Sequence, residues 1–203
     1  TTRRFGGFSA YHQTSFNTTS HFFTSSDVSP ELVLGTGDFT IEFWAGIDII
    51  KSSGGTSNNI LTFSIQNGAA AAFFTVYNVY SGNTYVPGLR FQDTGGTNFS
   101  GTYTGYGFFS GLNWFHACFE RRSGTLYCYI NGQQVAAGTM AYDISAVTGA
   151  DFAVHNQNYL KARFYIDEFR VFKSGYVYGG EFTPPSEPFG IKKNNRLNFR
   201  GAL

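Results

Sequence analysis

The stretch Trp114–Gly132, WFHACFERRSGTLYCYING, reads as two alternating strands joined by a turn at Arg122-Ser123-Gly124. Its first half puts Trp114, His116 and Cys118 on one face and Phe115, Ala117 and Phe119 on the other. Its second half sets Leu126, Cys128 and Ile130 against Tyr127 and Tyr129. A period of two between turn residues is the mark of antiparallel sheet. Gly124 suits the turn, because glycine takes a left-handed backbone at little cost. Asn131-Gly132 is a second turn signal directly after it. A three-residue loop at 122–124 sets Arg121 opposite Thr125 and Cys118 opposite Cys128. Facing cysteines are within reach of a strained cross-strand disulfide. Nothing else points to an oxidising compartment, so two small buried thiols are the expectation.

The same alternation recurs outward from this hairpin. Strands are expected at about 21–24, 39–47, 59–66, 71–79, 86–92, 114–121, 125–131, 151–155 and 162–173. FTIEFWA, residues 39–45, puts Phe39, Ile41 and Phe43 on one face and Thr40, Glu42 and Trp44 on the other, with Glu42 facing solvent. In RFYIDEFRVF, residues 163–172, the apolar phase changes at Asp167-Glu168, which predicts a bulge. Pro184, Pro185 and Pro188 end the pattern as a strand-breaking exit.

Composition agrees with sheet. Aromatics reach 19%, with 23 Phe and 13 Tyr, and there are 25 Gly, so strand formers alternate with turn formers. The 203 residues fit one sandwich or barrel domain with a large core. A net charge of +1 supplies no field for nucleic acid or membrane surface. No apolar run is long enough to cross a bilayer. Charged residues make up only 13%, about half the usual share, which suits a chain docked on a larger assembly. Residues 1–20 read as an N-terminal docking arm, 21–190 as the domain, and 191–203, IKKNNRLNFRGAL, as a basic C-terminal docking tail with apolar anchors.

Three blocks together resemble the concanavalin A-like, laminin-G-like jelly rolls: LGTGDFTIEFW (Leu34–Trp44), NWFHACFERRSGTLYCYINGQ (Asn113–Gln133) and YIDEFRVFKSGYVYGGEFTPPSEPF (Tyr165–Phe189). The closing block is similar to the variant found in bacteriophage virion proteins. The resemblance implies an all-β, antiparallel two-sheet sandwich with extended N- and C-terminal arms. The fold hosts lectins, glucanases and passive structural domains, so function has to come from sites.

Glucanases of the superfamily carry clustered acids as E-x-D-x-x-E on one strand. Here Tyr165 stands where the first Glu would be, and Asp167 and Glu168 are adjacent rather than alternate. A retaining glycosidase needs two carboxyl groups about 5 Å apart, which neighbouring strand residues do not supply. Asp167 is expected to be buried and to bond loop amides. The four His, at 12, 21, 116 and 155, lack metal spacing, and His116 is expected to be structural. No nucleophile elbow or phosphate loop is present. No cofactor is assigned. The rim calcium that many laminin-G-like domains hold has Asp93, Asp151, Asn156 and Asn158 as loop candidates, none within a matching motif. The loops NVYSGNTY (78–85) and GTYTGYG (101–107) place Tyr80, Tyr85, Tyr103 and Tyr106 among Gly and Asn, as contacts for a sugar or for a protein subunit.

The resulting expectation is a non-enzymatic phage virion structural protein. It would be a capsid decoration or tail/fibre accessory subunit, homo-oligomeric in the particle, with other virion proteins as partners. The alternative is a carbohydrate-binding adhesin that recognises host surface glycans.

Overall fold

The computed structural model describes residues 4–5, 10–13, 19–25, 32–52, 57–67, 70–81, 84–103, 112–144, 147–155, 160–189 and 196–199. These hold thirteen strands: β1 (Ala10–Gln13), β2 (Thr19–Ser25), β3 (Phe39–Ser52), β4 (Ser57–Asn67), β5 (Ala70–Ser81), β6 (Thr84–Asp93), β7 (Asn98–Thr102), β8 (Leu112–Arg122), β9 (Thr125–Ile130), β10 (Gln133–Thr139), β11 (Gly149–His155), β12 (Leu160–Lys173) and β13 (Arg196–Phe199). The first sheet runs β1-β12-β3-β8-β9-β10, and β13 also pairs with β12. The second runs β2-β11-β4-β5-β6-β7. Both sheets are antiparallel, giving the two-layer jelly-roll sandwich.

The core lies between the sheets, where strand alternation puts it. Phe39, Ile41 and Phe43 of β3 and Phe115, Ala117 and Phe119 of β8 point inward, opposite Phe63, Phe74 and Phe91 of the second sheet. The rings interleave. Phe74 lies 6.0 Å from Phe39, 5.4 Å from Phe119 and 5.3 Å from Phe91, while Phe63 meets Phe169 edge-on at 5.0 Å. Each such ring buried contributes roughly 1.5–3 kcal/mol, so this layer carries the stability of the fold. At one side the sandwich closes where β7 of the second sheet meets β10 of the first. Gly101 makes that approach possible, because a Cβ there would overlap the Val135 carbonyl.

The hairpin differs from its expected form in one respect. Ser123 and Gly124 both have positive φ (48° and 82°), and Arg122 pairs with Thr125. The loop therefore has two residues in the primed turn that matches strand twist, rather than three. The register shifts by one, so Cys118 faces Tyr129 and Cys128 faces Phe119. Cys128 joins the core while Cys118 turns to the opposite face, and both are free thiols. Asn131 (φ 50°) and Gly132 (φ 80°) make a second turn of the same kind between β9 and β10. The bulge also appears: Asp167 pairs with Trp44 and Arg170 with Glu42, and Glu168 has φ 53°. The extra residue keeps Ile166 and Phe169 both core-facing.

Candidate functional site

The outer face of the first sheet carries Thr40, Glu42 and Trp44 from β3 and His116, Cys118 and Glu120 from β8, all buried. Polar side chains reach this face because it lies opposite the core on each strand, and it is buried because residues 174–189 cross it as a strap. The strap is fixed mainly by one carboxylate. Glu120, fully buried, accepts the amides of Val177 (3.0 Å), Tyr178 (2.8 Å) and Gly179 (2.9 Å), together with the Thr40 hydroxyl (3.2 Å). Arg122 adds its charge at 3.4 Å. At the far end Phe189 donates its amide to Glu168 (2.7 Å). Aromatic rings fill the layer beneath. Tyr178 and Phe182 stack 3.5 Å apart, and His116 meets the edges of Tyr178, Phe182 and Phe189.

Glu42 does not face solvent as its place on the strand suggested. It is 0% exposed under the strap. Arg170 holds its Oε1 through two guanidinium nitrogens, while His116 Nε2 (2.9 Å) and the Tyr178 hydroxyl (2.6 Å) meet Oε2. Burial alone would raise the carboxyl pKa. The His116 hydrogen bond and the charges of His116 and Arg170 outweigh it and hold the group below the ordinary carboxylate range. Burial and the Glu42 charge push the Tyr178 hydroxyl far upward, so it remains a neutral donor. Burial likewise keeps Cys118 a thiol.

Asp167 is buried and bonds backbone amides, as expected. Its Oδ2 accepts Arg4 (3.1 Å) and Phe5 (2.9 Å). The Arg4 guanidinium then lies 4.2 Å above the Trp44 ring, with Phe5 edge-on to it at 5.7 Å. Its neighbour Glu168 anchors the strap, so the bulge turns two adjacent acids into two clamps for different segments.

An open cleft of about 660 Å³ lies where the β9–β10 turn meets the strap, lined by Asn131, Gly132, Gln133, Glu181, Phe182, Thr183 and Pro184. Its walls are tied by the Phe182 amide on the Gly132 carbonyl (3.0 Å) and the Gln134 amide on Glu181 Oε1 (3.2 Å). Asn131 links the cleft to the buried layer: its Oδ1 accepts the His116 amide and its own amide donates to the His116 carbonyl, both at 2.9 Å.

Residues 17–175 match a laminin-G family of the concanavalin A-like lectin/glucanases superfamily. The chain belongs to that superfamily. No curated protein matches it in sequence. Among solved structures it resembles the binding domain of botulinum neurotoxin serotype G (18% identity, 82% of this chain and 39% of that one, TM-score 0.51). It also resembles the binding domain of botulinum neurotoxin serotype D (13% identity, 81% and 38%, TM-score 0.53). An alginate lyase from Pseudomonas aeruginosa aligns at 18% identity over 70% of this chain and 67% of that one, with a TM-score of 0.48. The chain spans about two fifths of the two neurotoxin chains. The two neurotoxin likenesses establish the fold.

Within that jelly roll, Tyr80, Tyr85 and Tyr103 lie at one end of the second sheet. Tyr80 pairs with Tyr85 across the β5–β6 hairpin, and Tyr103 donates its amide to Pro87 (2.9 Å). Tyr85 is 6% exposed and belongs to the core, and Tyr103 packs half-buried against it. Tyr106 lies outside the described residues, as do Asn156 and Asn158. Of the calcium candidates, Asp93 Oδ1 accepts the Thr97 amide (2.8 Å) inside its own turn, and Asp151 sits within β11. No group of three or more His, Cys, Asp or Glu among the described residues is placed to hold a metal ion. The strap cluster and the cleft escaped the sequence reading. The NG turn and the FTPP exit are both visible there, but nothing in their spacing brings them together.

Proposed function

We propose that this chain is a non-catalytic recognition domain that binds saccharides, standing on the lectin side of its superfamily rather than the glucanase side. One observation carries the reading. Glu42 and Glu120 lie on neighbouring strands and the same face. Both are fully buried and occupied: Glu42 by Arg170, His116 and Tyr178, Glu120 by three strap amides and Thr40. A general acid needs a proton near working pH and access to substrate. Glu42, held ionised and sealed, has neither. The neurotoxin domains of like fold are themselves named as binding domains, which supports recognition as the use of this scaffold. The test pairs a glycan array, probed with the chain tetramerised for avidity, with an assay for reducing ends and unsaturated products on the bound glycans. Binding without cleavage is expected; cleavage by the pure protein defeats the reading.

A second reading, a virion structural subunit, is supported by the similarity of Tyr165–Phe189 to phage jelly rolls and by the low charge. It places the protein in the particle, with capsid or tail proteins and further copies of itself as partners and residues 1–20 and 191–203 as docking segments. A tail-borne adhesin for host surface glycans satisfies both readings. Normal incorporation of chains lacking either segment into particles would reject the docking role.

A further inference from the structure

We infer that the cleft between the β9–β10 turn and the strap is a binding site for neutral saccharides, and that Glu181 excludes anionic ones. The inference rests on the saccharide-binding reading and names its site and class.

The cleft is an open concavity of about 660 Å³. Its lining offers the groups that hydroxyl-rich ligands need. Gln133, Glu181 and Thr183 are exposed, and supply an amide, a carboxylate and a hydroxyl within one concavity. Each sugar hydroxyl both donates and accepts, so it is best met by a carboxylate beside an amide. Glu181 is already aimed: its Oε1 takes the Gln134 amide, while its Oε2 has no described partner. Asn131 is positioned in the same way, its Oδ1 engaged by the His116 amide. Phe182 supplies an apolar wall, steadied by its stack on Tyr178 and its edge contact with Tyr129 (5.5 Å).

The walls are also rigid. Both turn residues sit in the left-handed region, the Gly132 carbonyl is bonded to the Phe182 amide, and a Cβ at Gly132 would overlap the Phe182 carbonyl. A cleft that does not have to order itself loses less affinity on binding. The charge decides the class. Glu181 is the one ionisable lining residue, so a sugar bearing a carboxylate meets like charge at this open site.

The experiment uses the full chain on an array of neutral glycans and their sialylated counterparts, followed by titration of the best neutral probe and its sialylated form. Neutral probes should bind, with the sialylated form at least about tenfold weaker. The Gln133→Ala/Thr183→Ala double variant should bind the neutral probe about tenfold more weakly, with an unchanged melting temperature. Glu181→Gln should narrow the gap between neutral and sialylated probes. Unchanged binding by the double variant overturns the site while leaving saccharide recognition standing, and preferential binding of sialylated glycans overturns the charge argument. An array with no signal overturns both the site and the functional reading beneath it.

Discussion

The hydroxyl of Tyr178 in the strap donates to Oε2 of Glu42 in β3 across 2.6 Å, joining a segment without regular structure to the middle of a sheet. The partner is a buried charge. Tyr178→Phe keeps the stack on Phe182 but removes that donor, and should cost about 1.5–3 kcal/mol, the usual range for a hydrogen bond to a charged group. Glu42→Ala should cost more, about 3–5 kcal/mol, because it strands Arg170 in the same layer. Urea unfolding measures both. A Tyr178→Phe variant as stable as the parent would mean that ring packing and the Glu120 clamp hold the strap without this hydrogen bond.

Glu120 is the second clamp. Glu120→Gln keeps the shape but replaces one acceptor with an amide that points donors at donors. We expect amide hydrogen exchange at Val177, Tyr178 and Gly179 to accelerate at least about tenfold, consistent with a local loss of roughly 1–3 kcal/mol. Core amides of β3 and β8 should be little changed. Uniform acceleration across the domain would instead mark a global loss of stability.

The alternation of β3, β8 and β9 was legible in the sequence because a single physical rule, core on one side, governs it. The bulge at Asp167-Glu168 showed for the same reason: only an extra residue keeps Ile166 and Phe169 on the core side. Failures came where a different rule took over. Ser123 accepts a left-handed backbone, which no pattern of apolar residues reveals, and the cysteine register moved by one. Glu42 sits at an outward position, and exposure was expected there, yet a segment rich in Gly and Pro, more than a hundred residues later, covers it. β7 and β10 were missed because NFSGT and QQVAAGT carry little alternation and close the sandwich through small residues.

Acid should weaken the fold through Glu42. Its pKa is lowered in the folded state, so across the window between the folded and unfolded values the unfolded chain binds more protons. The stabilisation is complete above the ordinary carboxylate value and is lost as pH falls through the lower, folded one. Urea midpoints should therefore drop as pH goes below the ordinary carboxylate range, and the Glu42→Gln variant should show a shallower drop. Equal slopes for parent and variant would assign acid sensitivity to other carboxylates.

The two thiols should be inert in the native protein. Burial raises the pKa of both, and they lie on opposite faces of the β8–β9 hairpin. An aromatic disulfide reagent is expected to titrate neither in buffer and both in guanidinium, and the unreduced mass should show two free thiols. A mass two daltons lower would require the three-residue loop that the backbone does not have.

Gly132 and Gly124 provide a matched comparison. Both have positive φ near 80°, but a Cβ at Gly124 meets nothing within 4 Å, whereas one at Gly132 runs into the Phe182 carbonyl. Gly124→Ala should cost only the left-handed strain, about 1 kcal/mol. Gly132→Ala should exceed it by about 1–3 kcal/mol, because turn and strap must part to accommodate the methyl. Thermal melts of the two variants side by side measure the difference, and equal losses would mean that the strap yields freely.

The margin of β12 away from β3 is shielded by two unrelated pieces of chain laid end to end, β1 along Arg163–Ile166 and β13 along Phe169–Phe172. Each is only four residues long, against fourteen for the strand it protects. An uncovered strand margin is a template on which another ribbon can add. Losing either of these small tiles would bare part of the β12 backbone as such a margin.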